Sequence, residues 1–167
     1  MIFVHLKYDT MILMIEDIVV TFFASIAIWV MFVGLAILWV IDGKIKKEQV
    51  IHALFACTVA YLTAALIKHY FPTIRPFVLN GGEVDVFIRP MDGAFPSEHT
   101  VIAFALAVTV FMHDRKVGWY FLVTALVIGA ARVLANVHYP IDIVGGAFLG
   151  TITAVIIDKI HFKKIWG

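Results

Sequence analysis

Three stretches of the sequence carry basic, histidine and acidic residues at spacings that suit chemistry on a phosphate group. They are "KHYFPTIRP" (68–76), "FPSEHT" (95–100) and "ARVLANVHYPID" (131–142). A phosphoryl group in transfer bears negative charge on its outer oxygens, so catalysis depends mainly on positioning and charge stabilisation. Lys68, Arg75 and Arg132 can supply three cations, and an arginine fork matches two phosphate oxygens at once. The stretches therefore predict a phosphate-binding site that needs no metal ion and no other cofactor.

Two histidines and one aspartate in the same stretches can carry the covalent steps. His138 can attack phosphorus in line and form a phosphohistidine. Asp142 lies four residues further along, one turn away if a helix begins between them, and can accept a hydrogen bond from the ring. His99 can protonate the leaving oxygen and then activate the water that cleaves the intermediate. We therefore predict His138, His99 and Asp142 as the catalytic residues.

Neutral hydrogen-bond donors are expected at the start of the helix that follows the second stretch. Pro96 with serine beside it is a helix-start signal, and the backbone N–H groups of a first helical turn favour an anion. The Ser97 hydroxyl and the backbone N–H of Glu98 would therefore add to the phosphate contacts. The carboxylate of Glu98 would repel a phosphate unless it points away from the site.

The three stretches follow the pattern K-x6-R-P, P-S-x-H and R-x5-H-x3-D. This pattern resembles the type-2 phosphatidic acid phosphatase superfamily of membrane lipid phosphatases, which is related to the vanadium haloperoxidases and to glucose-6-phosphatase. All three family motifs are matched in order over residues 68–142. The resemblance implies the roles given above for His138 and His99, and phosphate binding by the three cations. Two positions depart from it: Glu98 stands where the family usually has glycine, and Ala131 where it usually has serine.

The resemblance also bears on the substrate. A small chain without a soluble domain is similar to bacterial undecaprenyl diphosphate phosphatases, so a polyprenyl diphosphate such as undecaprenyl diphosphate is the expected substrate. Phosphatidic acid and phosphatidylglycerol phosphate are alternatives that the sequence leaves open. Two other classes of function also stay open. One is a transporter with an ionisable pathway, and the other is a non-catalytic lipid-binding or scaffold protein, a class that Glu98 keeps open.

The composition places the chain in a bilayer. Its 167 residues are 62% hydrophobic and 15% charged, with a mean hydropathy of +0.98, a balance outside that of soluble domains. Apolar runs that can cross a bilayer, given a suitable helix start, are 18–41, 50–67, 101–112, 117–135 and 141–157. We predict a single domain over residues 1–167. It would be an all-α membrane bundle of about five transmembrane helices with an interfacial helix over residues 2–15.

The placement of basic residues predicts the orientation. Lysine and arginine in short loops favour the cytoplasmic side, and eight of the thirteen follow the first, third and fifth apolar runs. The C-terminus would then be cytoplasmic, and the three stretches would meet on the extracytoplasmic face of the cell membrane. The expected partners are the lipid substrate and the bilayer, since a net charge of +1 gives no reason to expect nucleic acid. Gly146 and Gly150, four residues apart, predict close helix packing within the bundle, and a homodimer contact is the open alternative.

The longest polar connection, residues 77–95, has two interpretations. The sequence "NGG" at 80–82 favours a hairpin, and an ordinary outer loop is the simpler reading. The alternative is a lid over the lipid entrance, with Arg89 contacting a second phosphate or a head group.

Several other residues have ordinary structural interpretations. The single cysteine, Cys57, cannot form an intrachain disulfide and is expected to be a small buried hydrophobe. Five histidines match no motif position and are expected to have no catalytic role: His5, His52, His69, His113 and His161.

Overall fold

The computed structural model describes residues 2–41 and 47–159, with side chains for residues 13–40 and 49–159. Within these ranges the chain forms seven helices and no strand, so the predicted all-α class is confirmed. The helices are α1 (Ile2–Ser25), α2 (Ala27–Ile41), α3 (Lys47–Tyr70), α4 (Pro76–Asn80), α5 (Glu98–His113), α6 (Arg115–Leu134) and α7 (Pro140–Asp158).

Helices α3, α6 and α7 are each long and apolar enough to cross a membrane. Helices α1 and α2 meet the same criterion as a pair bent by 53° at Ile26, and the shorter apolar α5 runs among the others. The described helices therefore give three candidate spans, or four with the bent pair, and the remaining predicted span corresponds to the shorter α5. The predicted interfacial helix over residues 2–15 is not a separate element, because α1 continues from Ile2 to Ser25. The break falls at Ile26 instead, and it frees the Ala24 carbonyl, which accepts a hydrogen bond from Arg132 Nη1 at 2.9 Å.

Helix α5 is the centre of the bundle and packs against α3, α6 and α7. Its inward residues include three fully buried alanines and the fully buried Leu106. Small side chains let the neighbouring helices approach closely, as in other membrane bundles. Because other helices surround α5, its 16 residues need not span the whole bilayer by themselves. The outer surface is apolar instead, with Leu134 and Phe148 each 68% exposed, as expected for side chains that face lipid.

Glycines set the distance between α5 and α7. A Cβ atom at Gly150 would overlap the Val101 carbonyl, and one at Gly146 would lie 2.9 Å from the carbonyl oxygen of Ser97. The prediction of close packing at these two glycines is therefore confirmed. The same register brings the Ser97 N–H to the Asp142 carbonyl at 3.1 Å, so this packing aligns two of the three sequence motifs.

We expect Gly150→Ala to destabilise the bundle. Its added methyl group would meet backbone atoms of α5, at Val101 and 2.9 Å from the Ala105 nitrogen, and backbone cannot move aside as a side chain can. Overpacking of this kind costs about 1–3 kcal/mol, which is a fall of about 3–10 °C in melting temperature. Thermal unfolding of the purified protein in detergent measures this fall in melting temperature. Gly34→Ala is the control, because its methyl would meet only the tip of the Phe121 ring, at 3.3 Å. An equal shift in both variants would contradict this account.

Residues 77–95 do not form the hairpin that "NGG" favoured. Gly81 has φ 64 and ends α4, with its N–H donating to the Phe77 carbonyl at 3.1 Å. Glycine adopts this left-handed conformation without strain, so here it marks a helix end. The valines beyond it, Val84 and Val86, pack partly buried against a small apolar cluster next to α6 instead of alternating along a strand. Cys57 is buried in the main core, as predicted.

Candidate active site

The end of α3, the beginnings of α5 and α7 and the end of α6 meet at one end of the bundle. Between them lies a cavity of about 450 Å³. Six of the residues predicted from sequence line it: Lys68, Arg75, Glu98, His99, Arg132 and His138. The geometric expectation that the three motifs converge is therefore met within the described part of the chain.

The turn between α6 and α7 positions His138. Asn136 has φ 59, a left-handed conformation that asparagine tolerates better than most residues. The Val137 N–H then donates to the Arg132 carbonyl at 3.3 Å, so the chain folds back over the end of α6. Side-chain hydrogen bonds between Asn136 and Asn80, the shortest at 2.9 Å, fasten this turn to the end of α4. His138 is buried as a result.

Asp142 and Arg75 fix the orientation of the His138 ring. Asp142 Oδ2 accepts the Tyr139 N–H at 2.8 Å and lies 3.3 Å from His138 Nδ1. Arg75 Nη1 lies 3.2 Å from the other ring nitrogen, Nε2. Because a guanidinium only donates hydrogen bonds, Nε2 must be the acceptor, and Nδ1 carries the hydrogen that it donates to Asp142. The lone pair of Nε2 therefore faces the cations of the cavity.

The charge state of His138 follows from its surroundings. Burial lowers the pKa of His138 to about 4; the hydrogen bond with Asp142 opposes this, and the charges of Arg132 and Arg75 add to it. A lowered pKa means that the ring takes up a proton only in acid. Near neutral pH the imidazole is neutral, which is the state that a nucleophile requires.

Arg75 joins the other elements of the site. Its Nε donates to the Asp92 carbonyl at 2.9 Å, and its Nη1 donates to the Val137 carbonyl at 2.8 Å. Its Nη2 reaches Asp92 Oδ1 at 2.7 Å and the Gly93 carbonyl at 3.0 Å. One buried guanidinium thus ties the 77–95 connection to the turn that carries His138.

Asp92 is the site residue that sequence reasoning missed. Its carboxylate bridges two of the three cations, since Oδ2 lies 2.6 Å from Lys68 Nζ and Oδ1 lies 2.7 Å from Arg75 Nη2. Burial raises the pKa of Asp92, but the hydrogen bonds and charges of Lys68 and Arg75 outweigh it and lower that pKa to about 2. Nothing in the sequence separates Asp92 from the other acids of the same connection, Glu83 and Asp85. Its role depends on how the connection folds back over α3.

Glu98 does not point away from the cluster. Its Oε1 lies 3.5 Å from Lys68 Nζ, and its side chain is 26% exposed. The attraction of the Lys68 ammonium explains this orientation in the first turn of α5. Two carboxylates, those of Asp92 and Glu98, therefore face one lysine.

Arg132 retains a free donor. Its Nη1 donates to the Ala24 carbonyl at 2.9 Å, whereas its buried Nε has no hydrogen-bond partner among the described residues. An unsatisfied buried donor is costly, so the hydrogen-bonding capacity of this guanidinium is not fully used by the described residues.

The start of α5 supplies further donors. The first intrahelical bond of α5 is donated by Val101 to the Ser97 carbonyl, so the N–H groups of Glu98 and His99 precede it and have no intrahelical acceptor. Ser97 itself is fully buried. Its hydroxyl accepts a hydrogen bond from Thr100 Oγ1 at 3.1 Å, and its N–H donates to the Asp142 carbonyl. Ser97 therefore lies behind the cavity wall, where it joins α5 to α7.

Arg89 lies outside this cluster. Its guanidinium stacks on the Phe77 ring at 4.4 Å from the centroid. It lines a neighbouring cavity of about 580 Å³ that shares Arg75 and Asp92 with the first. Contact between Arg89 and a head group would require the head group to extend into this second cavity.

One side of the catalytic cavity is apolar and exposed. It includes Trp29, which is 66% exposed, and Ile88, which is 84% exposed, together with Ile26 and Phe87. The α1–α2 break provides Ile26 and Trp29, so a part of the chain without recognisable motifs forms the entrance. A polar cluster beside an apolar entrance suits a molecule with a charged head and a lipid tail.

Membrane-length helices and a cluster of cations and histidines at one end of them define an integral-membrane lipid phosphatase. Residues 49–166 match the PAP2 superfamily, and the chain belongs to that superfamily. The family assignment suggested by the three motifs is therefore confirmed.

Individual relatives are similar to most of the chain. The bacitracin transport permease protein BcrC of Bacillus licheniformis is 30% identical over 139 residues, which are 83% of this chain and 68% of that protein. The undecaprenyl-diphosphatase BcrC of Bacillus subtilis is 27% identical over 148 residues, 88% of this chain and 74% of that protein. The crystal structure of Aquifex aeolicus LpxE superposes with a TM-score of 0.72 at 27% identity and covers 87% of each chain.

Proposed function

We propose that this protein removes the terminal phosphate of a polyprenyl diphosphate such as undecaprenyl diphosphate, through a phosphohistidine and without a catalytic metal ion. The observation that carries the proposal is the single cavity in which Lys68, Arg75, Arg132, His99 and His138 meet beside an apolar entrance. The name of the Bacillus subtilis relative favours the diphosphate over other lipid phosphates. The catalytic domain comprises residues 1–167, and its motifs lie within 68–142.

In the first step, His138 Nε2 attacks the terminal phosphorus as the bond to the bridging oxygen breaks. The negative charge of the bound diphosphate offsets the surrounding cations, so His99 takes up a proton with the substrate and donates it to that oxygen, and the lipid leaves with one phosphate fewer. Charge on the equatorial oxygens is stabilised by the three cations and by the N–H groups of Glu98 and His99. The ring becomes positively charged when the N–P bond forms, and Asp142 stabilises that charge through Nδ1.

In the second step, water attacks phosphorus on the side that the lipid has left. His99, now neutral, accepts a proton from the water, and the N–P bond breaks to release inorganic phosphate. His138 returns to its neutral form with Nδ1 still hydrogen-bonded to Asp142. The cations act throughout as fixed charges in place of a metal ion.

We further propose that the site opens on the extracytoplasmic face of the cell membrane, with the C-terminus in the cytoplasm. The support is the concentration of basic residues in the connections at the other end of the bundle. A cysteine-accessibility experiment tests it: a cysteine placed at exposed Met91 should react with a membrane-impermeant reagent in intact cells. The matched control is a cysteine at exposed Lys116, at the opposite end of the bundle, which should stay unlabelled.

An assay of purified protein in detergent tests the reaction. Polyprenyl diphosphate, phosphatidic acid and phosphatidylglycerol phosphate are supplied in turn, with and without a chelator. We expect phosphate release that is fastest from the diphosphate and unchanged by the chelator. Release that requires an added metal ion would contradict the mechanism. Faster release from phosphatidic acid or phosphatidylglycerol phosphate would transfer the proposal to that lipid.

Transport is a weaker candidate. The Asp, Glu, Lys, Arg and His side chains of α3, α5, α6 and α7 lie towards the helix ends, and the middle of each helix carries none of these residues. A proton or anion pathway would require polar groups at the centre of the bilayer.

Asp92→Asn should strengthen binding of phosphate. In the wild-type protein a phosphate must compete with the Asp92 carboxylate for Lys68 and Arg75, and asparagine keeps the shape without the charge. We expect the KM for the lipid and the inhibition constant for inorganic phosphate to fall about fivefold, a modest effect because Asp92 is 45% exposed. Asp85→Asn, in the same connection but outside the cavity, is the control. A rise in both constants would show instead that Asp92 holds the two cations in position for phosphate.

The lowered pKa of His138 predicts its behaviour in a titration. With a pKa of about 4, the ring should remain neutral, with hydrogen on Nδ1, when the pH falls from 7.5 to 5.5. Nitrogen NMR of ¹⁵N-histidine-labelled protein measures this, and His138→Ala identifies the resonances by their loss. Protonation with a midpoint near the ordinary histidine value, about 6.5, would contradict the proposed electrostatics.

A further inference from the structure

At the end of the bundle opposite the catalytic cavity, two histidines and one aspartate from three helices converge. His52 lies near the start of α3, His113 ends α5, and Asp158 ends α7. One ligand atom from each lies within 4.8 Å of the others. His52 and Lys68 are sixteen residues apart on α3, so this cluster is about 24 Å from the phosphate site.

Hydrogen bonding fixes which nitrogen of His113 is available. His113 Nδ1 lies 2.7 Å from the Thr109 carbonyl, and a carbonyl can only accept, so Nδ1 carries the hydrogen. The lone pair of Nε2 then faces Asp158 Oδ1 at 3.6 Å. Two acceptors that face each other repel, unless a cation lies between them.

We propose that this cluster binds one divalent transition metal ion, with zinc as the best match. Imidazole and carboxylate are zinc ligands, and bonds of about 2.1 Å at the tetrahedral angle place ligand atoms about 3.4 Å apart. The distance from His113 Nε2 to Asp158 Oδ1 is already close to that value. A histidine that donates its other N–H to a backbone carbonyl is also the usual arrangement around a bound metal. The ion would join the ends of α3, α5 and α7.

The competing occupant is a proton on His113, which would make the contact with Asp158 an ordinary ion pair. The two possibilities differ in whether they require the side chain of His52. A proton shared by His113 and Asp158 does not need the third residue, whereas a metal ion does. Metal binding should therefore depend on all three side chains.

Metal content and calorimetry test the proposal. The full-length protein, purified in detergent without a chelator, should contain about one zinc per chain. After chelator treatment it should bind added Zn²⁺ with one-to-one stoichiometry, and saturating Zn²⁺ should raise its melting temperature by about 5–10 °C. Asp158→Asn and His52→Ala should each weaken the binding more than about 100-fold, because losing even an outer partner of a metal ligand costs up to that much.

His69→Ala is the matched control, since His69 is an exposed histidine at the other end of α3; its zinc affinity should equal that of the wild-type protein. Asp158 is 35% exposed, so Asp158→Asn should fold even if His52→Ala does not. Phosphate release, measured below the melting transition, should change less than about twofold on chelation or in Asp158→Asn, given the distance between the sites. A protein without zinc that also binds no added Zn²⁺ would overturn the proposal, whatever its phosphatase activity.

Discussion

His138→Ala is expected to abolish phosphate release. The proposed nucleophile is Nε2 of this ring, which lines the cavity 3.2 Å from Arg75 Nη1. Loss of a nucleophile removes the covalent route altogether, so we expect kcat to fall more than about 10³-fold. With substrate labelled in its terminal phosphate, wild-type protein quenched during turnover should carry an acid-labile label. The variant should carry none.

The control for this loss is His69→Ala, which changes an exposed histidine next to Lys68. It should keep its activity and its label, because His69 matches no motif and is absent from the cavity wall. The His138 variant should still bind inorganic phosphate, since the cations remain. Turnover by His138→Ala within tenfold of the wild-type rate would rule out the phosphohistidine, though not a phosphatase that activates water directly.

The helices themselves could be predicted well from local sequence. The start of α7 was signalled by proline at the first helical position, and α7 begins at Pro140. Helix α5 begins at Glu98, close to the start predicted from Pro96 and Ser97, but Ser97 is the N-cap and Pro96 lies before the helix. The break at Ile26 was not predicted, because residues 18–41 are apolar apart from Thr21 and Ser25 and contain no proline. The break lies against a distant residue, Arg132, whose guanidinium binds the carbonyl that the break frees.

The residues of the site also fall into two groups, those that the sequence could predict and those that it could not. Residues with a fixed spacing along the chain, such as His138 and Asp142, could be predicted because one helical turn separates them. Asp92 and the apolar entrance at Trp29 could not, because they reach the cavity only through the path of a long connection and the bend of a helix pair. The sequence identifies Glu98 as a departure from the family, but it does not give the direction of the Glu98 side chain, which the contact with Lys68 determines.

Asp142→Asn should give the second large loss. Asp142 accepts hydrogen bonds from the His138 ring and from the Tyr139 N–H with one and the same oxygen, Oδ2, so asparagine presents either its neutral oxygen or its NH₂ to both donors. Either orientation removes the negative charge that stabilises the ring during phosphorylation, and the second also favours the wrong tautomer. We expect kcat to fall about 10²- to 10⁴-fold with a change in KM of less than about threefold, since the ring binds phosphate only weakly before attack. Steady-state kinetics measure both, and Asp85→Asn removes the same charge outside the cavity.

The pH dependence of Asp142→Asn activity distinguishes two explanations for the loss: a misoriented His138 ring and a protonated His138 ring. The hydrogen bond from His138 to Asp142 raises the pKa of His138, so removing the carboxylate lowers that pKa further. The ring of the variant is then neutral over an even wider range, and protonation cannot explain its inactivity. Activity should therefore not recover when the pH is raised from 7 to 9. A recovery would mean that the Asp142 carboxylate acts chiefly by changing the protonation of groups in the site. Orientation of the His138 ring by Asp142 would then not be needed to explain catalysis.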